Sequence, residues 1–310
     1  MLSRLKATWN WLPVFLRAII LGFALLQFGS IVTFLPLLGN LKFHPEIPWA
    51  FPITLLVLAL FGAYFSGWGP PASTREARRR LARVSLPSRR ISFAAIPAMV
   101  FGIIALIALR LLLPSLLPVS APAVPLSFSS LPLPSIVGAL VSIALIAGVT
   151  EELAFRGYMQ RPLEEAYGVV PAILIVGVMF WAAHLDHGIT TTHLPFHMFV
   201  SIALGLLAYL TRSLVPAMIA HAVGDLLLVP AYFFREPEFV WKALSARPVW
   251  ADVAPTFPER IRIICGAMSP LHLFTNGPVQ VFAILAWVLL FATALTVFSL
   301  FYLARKVPAA

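Results

Sequence analysis

Apolar runs long enough to cross a bilayer recur along this chain, and they constrain it more than any motif does. A hydrocarbon core about 30 Å thick needs roughly 20 apolar residues per helix. Eight stretches come near that length: 12–39, 47–67, 92–118, 133–155, 169–186, 196–211, 213–233 and 276–304. In lipid, backbone polar groups must be satisfied within their own segment, so such runs are expected to be helices. Hydrophobic residues make up 60% of the 310 and charged residues 11%, whereas an average soluble domain is about 25% charged. No soluble core of this size could hide that much apolar surface. The expected fold is all-α: a polytopic membrane protein of about eight transmembrane helices with an intramembrane cavity. A single cysteine, Cys265, leaves no intrachain disulfide framework and no cysteine-cluster zinc site.

The net charge of +10 would point a soluble protein toward nucleic acid; here its placement matters more. Seven arginines fall between Arg75 and Arg90, in a loop spanning 68–91, and basic loops stay on the cytoplasmic side. With eight spans both termini then lie in the cytoplasm, in keeping with Arg305 and Lys306 near the end. The first run follows Arg4 and Lys6 but is too long for a signal peptide and has no small-x-small cleavage site, so it is expected to be a retained helix. Ser120–Pro134, rich in proline and without charge, reads as an outer loop. Arg235–Thr275, with charges, prolines, Trp241 and Trp250, reads as an outer and partly interfacial one. Three regions follow: 1–132, 133–233 and 234–310. The plasma (inner) membrane is the expected location.

A charged side chain at a helix centre costs about 2.5–3.5 kcal/mol on insertion scales, so those inside the runs are functional candidates. They are Arg110, Glu151, Glu152, Arg156 and Asp225, with the histidines His184 and His221. Arg110 stands by itself near the outer end of the third run and is expected to snorkel. The other six are grouped. Arg156 follows Glu152 by four residues, the favourable order for an ion pair on one helix face. Glu151 lies five residues from Arg156 and shares that pairing less easily, which divides the two carboxylates into a scaffold and a free base. Phe180 and His184 share a helix face, as do His221 and Asp225. Span limits taken literally put Glu151 and His221 nearer the cytoplasm than His184. His193 and His197, with Pro195 between them, read as an outer-loop feature.

No Gly-x-Ser-x-Gly elbow and no His-Glu-x-x-His helix is present, and Cys265 has no adjacent histidine motif. A carboxylate with histidines suits activation of water: Glu151 takes the proton while His184 orients the water or shares the proton. A histidine with a neighbouring Asp can serve the oxyanion of a tetrahedral intermediate. The chemistry indicated is hydrolysis of a carbonyl compound, most simply a peptide.

The pattern Glu151-Glu152-x-x-x-Arg156, Phe180-x-x-x-His184 and His221-x-x-x-Asp225, with the approach Thr211–His221, resembles the three motifs of the CAAX-type prenyl endopeptidases, the CPBP or ABI-related intramembrane proteases. The resemblance covers about residues 133–231. It implies an endopeptidase in which Glu151 and His184 activate water, Glu152 and Arg156 support the site, and His221 with residue 225 stabilises the oxyanion. That last position is frequently asparagine in the family; an ionised Asp225 cannot donate, and here it is expected to orient His221. No cofactor is favoured. A divalent metal such as zinc, held by Glu151, His184, His221 and Asp225, is the alternative. The implied partners are the bilayer and a membrane-associated protein or peptide, with or without a lipid attached, and no nucleic acid. A non-catalytic scaffold or immunity protein binding a peptide or lipid tail is the runner-up. A proton-coupled transporter would predict inverted repeats, which the sequence does not display.

Overall fold

The computed structural model describes residues 9, 11–116, 131–185, 193–228 and 278–307, and among these the regular structure is helical, without strands. In chain order the helices are α1 (Val14–Phe43), α2 (Ala50–Phe65), the short α3 (Arg75–Ala82) and α4 (Arg89–Leu116). They continue with α5 (Leu133–Tyr167), α6 (Val169–Ala182), α7 (His193–Thr211), α8 (Val215–Leu228) and α9 (Pro278–Lys306). Except for α3, each falls on one of the eight apolar runs.

Five of them are long and apolar enough to cross a membrane: α1, α4, α5, α7 and α9. The others, α2, α6 and α8, have 16, 14 and 14 residues. At 1.5 Å per residue they rise about 21–24 Å, short of a ~30 Å hydrocarbon core. Large apolar side chains such as Leu35, Leu56, Phe291 and Phe298 face outward, the reverse of a soluble protein and suited to lipid contact. The Ser120–Pro134 loop lies outside the described residues up to 130, and the Arg235–Thr275 loop lies outside them entirely.

The fourth run differs from its expected limits. Instead of ending near 155, α5 continues through 35 residues to Tyr167, and it is wound as a π-helix over Ala147–Glu151 and again over Leu153–Gln160. Such widening is rare and recurs at functional sites. The sequence accommodates it in two ways. Thr150 Oγ1 donates to the Ile146 carbonyl at 2.7 Å, occupying an acceptor in the widened turn. Gly148 lets α8 approach: a Cβ there would lie 2.8 Å from the Met218 carbonyl oxygen and from Ala222 Cβ. α1 packs along the other side, with Gly22 over Met159 and Gly29 over Thr150.

The basic loop closes one end of this bundle. Leu214 N–H donates to the Arg83 carbonyl and Ser213 Oγ to that of Ser85, while Arg78 donates to the carbonyls of Trp68 and Gly69. Arg83 and Arg161 both face Glu164, at 3.5 and 3.3 Å. Burial pushes the Arg83 guanidinium below its ordinary range, against the pull of Glu164. Arginines that read as a simple charge run thus knit the loop to the foot of α5.

Candidate active site

The extension of α5 brings the three motifs to one depth. Leu214, at the foot of α8, packs against Gly157 of α5. Counting from there, Glu151 lies six residues along α5 and His221 seven along α8, each about 10 Å from the basic end. His184 belongs to the turn that follows α6, and its backbone N–H donates to the Trp181 carbonyl. It lies 15 residues beyond the start of α6, and Glu151 lies 16 before the end of α5; both rises are near 23 Å. The depth mismatch expected from the span limits came from ending the fourth run too early.

Glu152 and Arg156 are fully buried, and Arg156 Nη1 donates to Glu152 Oε1 at 2.9 Å. The guanidinium also donates to Ser201 Oγ on α7 at 3.2 Å and lies 4.8 Å from the centroid of the Phe180 ring. The same Glu152 oxygen accepts from His221 Nδ1 at 2.8 Å. The sequence reading assigned orientation of His221 to Asp225; the bond that holds the ring comes instead from Glu152. Asp225 Oδ2 stands 3.7 Å from the other ring nitrogen, Nε2.

Glu151 is treated differently. Its Oε2 is buried and has no hydrogen-bond partner among the described residues. Two histidine nitrogens face it, His184 Nε2 at 3.8 Å and His221 Nε2 at 4.0 Å. His184 Nδ1 lies 2.7 Å from the Phe180 carbonyl. A carbonyl only accepts, so Nδ1 carries the hydrogen, and in the neutral ring Nε2 presents a lone pair toward Glu151.

Glu151, Glu152, Arg156, His184, His221 and Asp225, chosen from sequence, therefore meet in one cluster on α5, the end of α6, and α8. Among the described residues no three His, Cys, Asp or Glu side chains are arranged to hold a metal ion. Residues 133–227 match the family model Rce1-like, type II CAAX prenyl endopeptidase Rce1-like. That interval falls within four residues of the one marked by the motifs, and the resemblance holds over it. No curated protein and no solved structure matches the chain. An Rce1-like, protease-like domain thus sits in a bundle of apolar helices, and the chain is an integral membrane protein.

Two expectations change within the Rce1-like segment or beside it. His197 is not a loop residue; it lies in the second turn of α7, buried, with its ring centroid 4.4 Å from that of His184. Pro195 does not interrupt the helix, because a proline in a first turn removes no intrahelical bond. That placement was the available signal, and it was misread as a break. Arg110 does not merely reach for the membrane surface: it is half-buried, with its guanidinium 5.9 Å from the Phe196 ring of α7.

Proposed function

We propose that the chain is an intramembrane endopeptidase that hydrolyses a peptide bond with water activated by Glu151 and His184. The observation that carries this reading is Glu151 Oε2, buried, without a hydrogen-bond partner among the described residues, and faced by two histidine nitrogens. Glu151 Oε2 and a neutral His184 Nε2 are both acceptors, 3.8 Å apart. A water donating one hydrogen to each, at about 2.8 Å from both, satisfies the two and turns its lone pair outward. Attack on the scissile carbonyl sends one water proton to Glu151 and forms the C–O bond. The oxyanion accepts from His221 Nε2–H; since Nδ1 is already donating to Glu152, the ring is then an imidazolium between Glu152 and Asp225. Collapse breaks the C–N bond, and Glu151 returns its proton to the leaving amine.

Substrates on this reading are membrane-associated proteins or peptides, with or without a prenyl group, that approach from the cytoplasmic side. The basic loop and both termini lie in the cytoplasm, the plasma membrane is crossed eight times if α2, α6 and α8 are counted with the rest of their apolar runs, 47–67, 169–186 and 213–233, and no metal takes part. The test is purified protein against a peptide library, prenylated and unmodified, beside Glu151→Gln. Cleavage by the wild type that the Gln variant loses supports the proposal. Binding without cleavage by either favours the non-catalytic scaffold.

A further inference from the structure

α4 and α9 each carry an apolar stripe that ends in a cation, and both stripes run to the same end of the bundle. On α4 the exposed residues Phe93, Ile96 and Val100 follow Arg89 at helical spacing, all within about 40° of one face. On α9 Phe291, Phe298 and Arg305 stand seven apart, about two turns each, and all three are exposed. The two helices pack antiparallel: Leu112 of α4 shares a buried cluster with Phe282 and Ala286 of α9, and further along Gly102 meets Thr296. From that contact Arg89 lies 13 residues back along α4 and Arg305 nine forward along α9, rises of about 20 and 14 Å. Arg89, Arg90, Arg305 and Lys306 therefore cap one edge of the bundle within about a helical turn of one height.

Other arginines at this end are engaged by the fold. Arg78 donates to loop carbonyls, Arg83 and Arg161 face Glu164, and Arg80 faces Glu165 at 3.6 Å. The four at the α4–α9 edge form no ion pair among the described residues, and neither helix contains an Asp or Glu. Arg305 and Lys306 lie back over rings one turn deeper, the guanidinium 4.4 Å from the Phe301 centroid and Lys306 Nζ 4.9 Å from that of Tyr302. Two cations are thus held where the apolar stripe begins rather than free in water. Orientation during insertion calls for basic residues in a loop; it does not call for them in register with the lipid-facing stripes of two packed helices. Four like charges at one edge repel one another. A phosphodiester relieves that repulsion and accepts paired guanidinium bonds, and acyl chains attached to it would cover the stripes.

We propose that the α4–α9 edge is a binding site for an anionic phospholipid: Arg89, Arg90, Arg305 and Lys306 take the head group, and the chains lie along the stripes of Phe93 and Phe298. Charge complementarity sets the choice of lipid, because the cationic group of a zwitterionic head would meet the same guanidinium groups. The site is independent of the peptidase reading and requires only a bilayer around the helices. Each basic residue near an acidic lipid surface is worth about a factor of five in binding. Removing two of the four is therefore expected to weaken the lipid by on the order of ten-fold or more.

The probe is phosphatidylglycerol, titrated into full-length protein in a neutral detergent and counted by native mass spectrometry, beside phosphatidylcholine with the same chains. Wild type should retain phosphatidylglycerol at concentrations where phosphatidylcholine is lost. The paired variants Arg89→Gln with Arg90→Gln, and Arg305→Gln with Lys306→Gln, should each lose that preference while circular dichroism shows the native helix content. Arg75→Gln with Arg80→Gln removes the same charge from α3 and should weaken phosphatidylglycerol by less than about three-fold. If one edge pair does not fold, the other carries the test. Equal retention of the two lipids by wild type overturns the proposal, and so does wild-type retention of phosphatidylglycerol by a folded edge pair. A loss in the α3 pair as large as in the edge pairs assigns the attraction to the whole basic end and removes the site. Glycerol phosphate, a head group without chains, should leave the lipid in place at large excess; displacement would make this a site for free anions and refute the lipid.

Discussion

Replacing Glu152 by glutamine changes one oxygen to an NH2 group at the most buried polar point of the bundle. The carboxylate and Arg156 are both fully inaccessible. One carboxylate oxygen accepts two bonds, 2.9 Å from Arg156 Nη1 and 2.8 Å from His221 Nδ1. Hydrogen bonds to charged groups contribute about 1.5–3 kcal/mol each, and removing one partner of a buried ion pair costs about 3–5 kcal/mol. The amide can still accept one bond, so the loss should lie near the ion-pair figure rather than above it. At 1.4 kcal/mol per factor of ten that is two to three and a half powers of ten in the unfolding equilibrium. Titration of purified protein with denaturing detergent, followed by near-UV circular dichroism, reads this directly. Glu151→Gln is the control: among the described residues the buried oxygen of that side chain has no hydrogen-bond partner, and its stability should match wild type while its cleavage is lost. Adding Arg156→Met to Glu152→Gln should recover part of the loss, because the uncompensated charge is gone. A Glu152→Gln protein within about 1 kcal/mol of wild type would show that Arg156 is solvated and that the scaffold role is wrong.

Three further outcomes are expected. Gly148→Ala forces a methyl group to 2.8 Å from the Met218 carbonyl and Ala222 Cβ, both fixed by α8, so α5 and α8 must separate; cleavage should fall at least ten-fold, and near-wild-type activity would refute the close approach. Cysteines placed between residues 75 and 90, after Cys265→Ser, should resist an impermeant maleimide on intact cells, and labelling as efficient as at Ser127 would reverse the orientation. Chelator-dialysed active protein should contain no stoichiometric metal by mass spectrometry, whereas metal whose removal stops cleavage and whose return restores it would replace the glutamate-base reading by a metalloprotease.

The sequence carried the helices because apolar runs are read directly by a bilayer-length window, and it carried the six-residue cluster because charges in such runs are few enough to be matched by spacing. Where it misled, the cause was local. The fourth run was ended at 155, just before Arg156, yet Glu151, Glu152 and Arg156 lie inside a helix that continues to Tyr167. Charges stop a hydropathy window whether they meet water or meet each other, and only the pairing across α5, α7 and α8 tells the two cases apart. The π-helical winding and the close approach of Gly148 to α8 are likewise absent from any one-helix pattern. His197 was set aside because a proline stood two residues before it, although a first-turn proline is permissive.

These misses share a physical origin that bears on the site itself. Spacing rules report which residues share a face of one helix, and by that measure Asp225, four residues after His221, was the natural partner for its ring. The structure gives the short bond to Glu152, 69 residues away in sequence, and leaves Asp225 at 3.7 Å on the opposite nitrogen. One buried carboxylate oxygen thus fixes both Arg156 and His221. On the proposed chemistry Glu152 supports the oxyanion side through His221, while Glu151 next to it in sequence serves the water side. Two adjacent glutamates are kept from exchanging roles by their bonds: Glu152 accepts from Arg156 and His221, and the buried oxygen of Glu151 from none among the described residues. Swapping the roles would require Arg156 to follow Glu151, five residues back on the same helix, and to abandon Ser201 of α7. The asymmetry is therefore built into the packing of α5 against α7 and α8, and the contrast between the Glu151→Gln and Glu152→Gln proteins measures it.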